Sequence, residues 1–364
     1  MKKLLLAFVC LFALASLVAC GNETNNETEK EYKLGMGVVV STASSKNAEE
    51  EKNGTAQIDA TVATVVLENG KIVACRLDAV QNKITVSPAG EVTVPESFKT
   101  KMEKGAEYGM AGNQWSSDNN GDGVILEWDA QAKAFEAYVV GKTAQEVKDM
   151  PTKTLENGYV ISSEDALLKA GCTIQITEFK NAVVKACEDA QGVTFKTSKS
   201  FTLGVAATSF DDGSKSADAT ADEGKQDGSI KVYADFAASV VVDGKIAASL
   251  NDAIQPKFTV STTGALTAAY EATKRELKEG YGMAGNQWSS DNNGDGVILE
   301  WYKQSAAFSA FVVGMTGTEV ANMETKKLEN GYQIAVSEDL LKAGCTIQIT
   351  AIKAVVAKSV SSAR

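Results

Sequence analysis

The stretch Tyr108–Trp128, YGMAGNQWSSDNNGDGVILEW, recurs without a difference at Tyr281–Trp301, and the two copies hold all four tryptophans of the chain. The same shift of 173 residues aligns LENGY at Leu155–Tyr159 with Leu328–Tyr332, and AGCTIQIT at Ala170–Thr177 with Ala343–Thr350. Between these islands the match is partial, as in Gln131–Gly141 against Gln304–Gly314. The chain therefore reads as a tandem duplication: one unit at 33–190, a connector at 191–200, and a second unit at 201–364. Identity inside a repeat that has otherwise drifted points to a shared task. Trp, Asn and Asp are side chains that binding loops use.

Within each unit a period-two pattern comes first. Ile58, Ala60, Val62 and Val66 precede Asn69-Gly70, and Val232, Ala234, Phe236, Ala238, Val240 and Val242 precede Asp243-Gly244. Alternation that closes on Asn-Gly or Asp-Gly is a hairpin signal. Lys71–Asp78 and Lys245–Asp252 are the expected returning strands. A shorter strand at Gly35–Ser41 is expected in the same sheet, followed by a polar loop, Thr42–Gly54. The pattern then turns helical. Trp128, Ala132, Phe135 and Val139 recur at four, three and four before Gly141, and Trp301, Phe308 and Val312 repeat the stripe. Thr143 and Ser163 read as N-caps, and Cys172–Thr177 as a strand feeding a helix with core face Phe179, Val183 and Cys187. The fold class expected is α+β: two tandem homologous domains, each an antiparallel β hairpin or sheet followed by several helices. Each is long enough for a core of its own.

The first residues carry Lys2 and Lys3 and then an apolar run, Leu4–Val18, too short to span a bilayer. It ends in Leu17-Val18-Ala19-Cys20, which resembles the lipobox of bacterial lipoproteins. The resemblance implies a signal peptide at 1–19, cleavage before Cys20, a lipid on its sulfur, and an extracytoplasmic protein anchored to a membrane. Residues 20–32, polar throughout, are expected to be a flexible tether. Without Lys2 and Lys3, 34 basic residues face 47 acidic ones, a net charge of about −13 that repels nucleic acid.

The sequence has no histidine, which removes the usual base of serine and cysteine hydrolases and the commonest zinc ligand. It also has no Gly-x-Ser-x-Gly elbow, Ser-x-x-Lys, Walker loop or complete Gly-x-Gly-x-x-Gly, and no catalytic residue is assigned. Cys75, Cys172, Cys187 and Cys345 remain beyond the signal and the anchor. A disulfide is compatible only with the first unit, because the second has a single cysteine.

Asp118-Asn119-Asn120-Gly121-Asp122-Gly123-Val124-Ile125 resembles the calcium loop of EF-hand and dockerin modules. The resemblance implies Ca2+ held by Asp118, Asn120, Asp122, the carbonyl of Val124, and Asp129 at the twelfth position. In the second unit Asp291, Asn293, Asp295 and Val297 match, but Tyr302 stands twelfth. Beside these loops, Asn113, Gln114 and Trp115, with Asn286, Gln287 and Trp288, are the candidate ligand-binding residues: a ring to stack and amides to orient. The expected function is a binding protein for a small molecule, glycan or surface protein. An alternative comes from the hairpins Glu68–Ala79 and Val242–Ala253, which are similar to the opening strands of extracytoplasmic FMN-binding lipoproteins. That family carries flavin on a Thr in a Ser/Thr-Gly-Ala-Thr sequence. The nearest text is Thr263-Gly264-Ala265-Leu266-Thr267, interrupted by Leu266 and without a counterpart motif in the first unit. A structural or adhesive surface protein is a further alternative.

Overall fold

A computed structural model describes residues 28–111, 118–119, 121–221, 224–270, 272–284, 291–292 and 294–364. The chain is an α+β protein. Its first half runs β1 (Lys30–Ser41), β2 (Gly54–Glu68), β3 (Lys71–Val86), β4 (Val92–Thr93), α1 (Lys101–Lys104), α2 (Trp128–Val139), α3 (Ala144–Lys148), β5 (Thr152–Thr154), β6 (Val160–Ser162), α4 (Asp165–Lys169), α5 (Thr177–Cys187) and β7 (Val193–Thr197). The second half runs β8 (Thr202–Asp211), β9 (Gly228–Ile230), β10 (Val232–Val242), β11 (Lys245–Ile254), β12 (Lys257–Val260), β13 (Leu266–Ala269), α6 (Lys274–Leu277), α7 (Trp301–Phe311), α8 (Gly317–Ala321), β14 (Thr325–Lys327), β15 (Gln333–Ala335), α9 (Glu338–Lys342) and α10 (Thr350–Ser361).

Strands β4-β3-β2-β1-β7 form one antiparallel sheet, and β11-β10-β8 and β13-β12-β9 form two shorter ones. The hairpin turns are as expected. Asn69 and Gly70 have φ of 52° and 78°, and Asp243 and Gly244 49° and 77°. Two left-handed residues in a two-residue turn match the twist of the strands they join. β3 is twice the length expected of it and continues to Val86, whereas its counterpart stops at Ile254 before Gln255-Pro256 and restarts as β12. Pro256 has no N–H to give to a ladder.

Period two sends alternate residues of each strand to different cores. Ile58, Ala60, Val62 and Val66 of β2 meet Leu203, Val205, Phe236, Val240 and Phe258 of the second half in one buried cluster between the sheets. Ala63, Val65 and Leu67 turn the other way, onto Trp128, Phe135, Phe179 and Val183 of α2 and α5. Ala237 and Ile246 do the same against Trp301, Phe308 and Val355 of α7 and α10. The layers are thus helices, sheet, sheet, helices. Each half has a helix-facing core to itself, and the sheet-facing core belongs to both.

Contacts between the halves run alike in both directions. Lys185 Nζ lies 2.6 Å from Glu276, and Lys358 Nζ 2.7 Å from Glu103, pairs related by the shift of 173. Ala48 N–H donates to Gly264 O (3.0 Å) and Ala217 N–H to Gly90 O (2.9 Å). Such reciprocity is the pattern of an isologous two-fold contact. Gly35 and Gly204 let α5 and α10 lie on β1 and β8, since a Cβ at either would overlap the carbonyl oxygen of Ala186 or Ser359.

Four local expectations change. Lys30–Tyr32, placed in the tether, open β1, because β7 gives them partners (Lys30 with Thr197, Tyr32 with Phe195). The connector at 191–200 accordingly contains an edge strand. Cys172–Ile176 is not a strand, since its N–H groups at Thr173 and Ile174 donate to the side chain of Gln131 rather than to a neighbouring strand. Ser163 does not cap α4, whose N-cap is Glu164, while Thr143 caps α3 with a reciprocal bond from Glu146. The four described cysteines are free, Cys75, Cys172 and Cys345 buried and Cys187 half-buried.

Candidate ligand clefts

Each half has a cleft between its sheet and the end of the identical segment. The first, of about 400 Å3, is bounded on the helix side by Lys101, Tyr108, Met110, Asn119, Ile125, Trp128, Gln131, Tyr159, Thr173, Ile174 and Gln175. The second, of about 200 Å3, has the same residue type at each of those places shifted by 173. The walls differ only at Glu178 and Phe179, which are Ala351 and Ile352 in the second half.

Buried hydrogen bonds hold these walls. Gln131 donates from Nε2 to Leu126 O (2.8 Å), and its Oε1 accepts from Thr173 N (2.8 Å) and Ile174 N (3.0 Å). Gln304 repeats this with Leu299 O (2.7 Å) and Thr346 N (2.8 Å). Asn119 Nδ2 donates to Thr173 O at 2.8 Å, and Asn292 Nδ2 to Thr346 O at 2.9 Å. Glu127 closes the base of the segment, accepting from Met110 N (2.9 Å) and Ala111 N (3.0 Å), and Glu300 does so from Met283 and Ala284 (both 2.9 Å).

A lysine stands over two rings at the inner end of each cleft. Lys101 Nζ is 5.0 Å from the ring centre of Tyr108 and 5.5 Å from that of Trp128. Lys274 Nζ is 5.0 Å from Tyr281 and 5.1 Å from Trp301. These are cation–π distances. Burial lowers the Lys274 ammonium to about 8, against the pull of Asp235, Asp252 and Asp212. At the mouths Tyr159 and Tyr332 are 52% and 51% exposed, large rings left open to a ligand.

The sheet side differs between the clefts. Asp59 and Thr61 of β2 line the first, and Tyr233 and Asp235 of β10 occupy the same places in the second. Asp235 is buried, and burial raises its carboxyl to about 6, with Lys274 opposing and Asp252 adding to the rise.

Of the residues expected to bind ligand, Asn113, Gln114, Trp115, Asn286, Gln287 and Trp288 lie outside the described residues, as do Asn120, Asn293 and Cys20. Asp118 and Asp122 organise their own loop. Asp118 accepts from Gly121 N and Gly123 N (both 2.7 Å), and Asp122 from Val124 N (2.8 Å). Asp291 and Asp295 do the same for Gly294, Gly296 and Val297. Asp129 lies in the first turn of α2 and pairs with Lys133 at 2.7 Å. Among the described residues no group of three acidic or cysteine side chains converges as a metal site. The stretch at Thr263–Thr267 forms a turn and the start of β13, docked on Ala48 and Ser87 of the first half; its structural counterpart is the turn at Ser87–Glu91.

The lysines, the exposed tyrosines and the buried glutamines were not expected at the site. LENGY, an island of identity, carries the tyrosines and was the available signal for them, as AGCTIQIT was for Thr173, Ile174 and Gln175; the lysines and the buried glutamines lie outside both. No helix among the described residues is long and apolar enough to cross a membrane. No protein-family model, curated protein or solved structure matches the chain.

Proposed function

We propose that the chain is a lipid-anchored extracytoplasmic binding protein of two homologous domains, each offering one cleft to a small-molecule or glycan ligand. The observation that carries this reading is the pairing of the islands of identity with the cleft walls. Residues far apart in sequence, Tyr108, Asn119, Trp128, Tyr159, Thr173 and Gln175, meet at one cleft, and their equivalents meet at the other. An exposed tyrosine beside amide and hydroxyl groups suits the apolar face and hydroxyl edge of a sugar. Two clefts on one chain would raise avidity for a repeated ligand.

Glycan-array binding by the full chain tests this. Tyr159→Ala and Tyr332→Ala should each weaken it, and the double variant should abolish it; an unchanged array with the double variant would exclude the clefts. Membrane fractionation of Cys20→Ser tests the anchor, with release to the soluble fraction expected.

Calcium belongs to the same proposal, with Asp118, Asn120, Asp122, Val124 and Asp129 as the first set. Asp129, where the second half has Tyr302, is the basis for expecting tighter binding in the first loop. Terbium emission sensitised by tryptophan should then lose its tighter phase in Asp122→Ala and keep it in Asp295→Ala. Emission that is equal from both loops, or absent, would count against the assignment.

A further inference from the structure

The sheet sides of the two clefts use a carboxylate differently. In the first, Asp59 is half-buried and its Oδ2 accepts from Gln57 Nε2 at 2.7 Å. In the second, the acid has moved two residues along the strand, to the same side and deeper. Asp235 is 7% exposed, lines the cleft, and its Oδ2 has no hydrogen-bond partner among the described residues. A carboxylate taken out of water without a partner is costly, on the order of several kcal/mol. Lys274 opposes this charge through space but makes no hydrogen bond or close ion pair with it, its ammonium standing over the rings of Tyr281 and Trp301. Asp212 lines the same cleft, and buried Asp252, which accepts from Ala253 N and Arg275 N, adds to the negative field. Arg275 does not offset that field fully, since its guanidinium pairs with Asp189 at 3.0 Å.

We propose that the second cleft binds a small ligand through a protonated amine, which donates to Asp235 among the rings of Tyr233, Tyr281 and Trp301. The inference rests on the reading of the clefts as ligand sites and names a ligand class for the second alone. A cationic nitrogen supplies the donor the carboxylate lacks and adds to the counter-charge that Lys274 gives only from a distance, and aromatic faces favour the same group. A neutral hydroxyl supplies only the donor. The volume of about 200 Å3 limits the ligand to a compact one.

Calorimetric titration of the full chain with 1,4-diaminobutane, against 1,4-butanediol of equal length, tests this. The diamine should bind and the diol should not. Asp235→Asn should weaken the diamine by about tenfold or more, since a hydrogen bond to a charged group is worth roughly 1.5–3 kcal/mol. Asp59→Asn should leave it within about twofold. Lys274→Met, which removes the resident cation, should tighten diamine binding, and it decides the matter even if Asp235→Asn fails to fold. Equal binding of diol and diamine, indifference to Asp235→Asn, or weaker binding in Lys274→Met would each overturn the assignment. Glycan binding that depends on Tyr159, with no diamine binding, would overturn the amine site and leave the cleft reading in place. Absence of binding by every probe would overturn both.

Discussion

The two clefts share their walls at all but two positions and differ on their sheet sides, and the reason lies in how each residue is held. A wall residue such as Gln131 is bonded at both ends of its amide, Nε2 donating to Leu126 O and Oε1 accepting from Thr173 N and Ile174 N. Changing it strands several buried backbone groups at once. A residue such as Asp59 or Tyr233 sits on a strand whose backbone bonds are made by its neighbours, whatever side chain it carries. Its replacement changes the cleft without undoing the fold. Identity in the walls therefore reflects mechanical interlock as much as ligand contact, and ligand preference is free to diverge on the sheet.

The largest effect should come from separating the halves. Phe236, Phe258, Val240 and Leu203 pack on the first half's sheet, so a fragment from Phe201 to Arg364 would expose the face that now forms the central core. The fragment is expected to lack a cooperative monomeric melt. Sedimentation should find it unfolded or self-associated, the latter through the same sheet face. A monomer with a sharp calorimetric transition would mean that the clefts stand on independent scaffolds.

Next in size are the interlocked walls. Gln131→Leu and Gln304→Leu each orphan buried backbone groups at about 1–3 kcal/mol apiece, so each should lower stability by on the order of 4 kcal/mol, and by similar amounts. Urea melts of the two variants make the comparison. A variant that costs less than about 1 kcal/mol would show that the wall is kept for ligand alone.

Much of this architecture was legible from pattern. The hairpins at Asn69-Gly70 and Asp243-Gly244, the buried stripe of α2 and the Thr143 cap are local devices, written in neighbouring residues. What stayed hidden was long-range. The alternation of Ile58, Ala60 and Val62 shows that one face of β2 is buried but not that the second half covers it. Cys172–Ile176 misled because the distant Gln131 takes the N–H groups of Thr173 and Ile174, and Ser163 because its own N–H goes to Pro151 O and the helix is capped one residue later, at Glu164. At the clefts, the identical segment drew attention to its Trp, Asn and Asp side chains. Lys101 and Tyr159, one outside every island and one within LENGY, join the site only through the fold.

The smallest of these effects separates the sheet sides themselves. The Asp235 carboxyl rises from 3.8 to about 6 in the folded protein, chiefly through burial. A raised carboxyl favours the protonated native state, so its stabilising contribution is complete below about 4 and fades as pH rises through 6. About two units correspond to about 3 kcal/mol lost between pH 4 and 7. Thr61, at the same place in the first half, does not titrate. Asp78, also raised to about 6, contributes a second loss in the same window from the first half. Asp235→Asn should therefore melt close to the parent at pH 4.5 and well above it at pH 7. The remaining slope would belong to Asp78 and other acids. Equal melting gains at both pH values would mean that the gain does not come from the Asp235 charge. In that case the difference between the two clefts would be one of shape and not of charge.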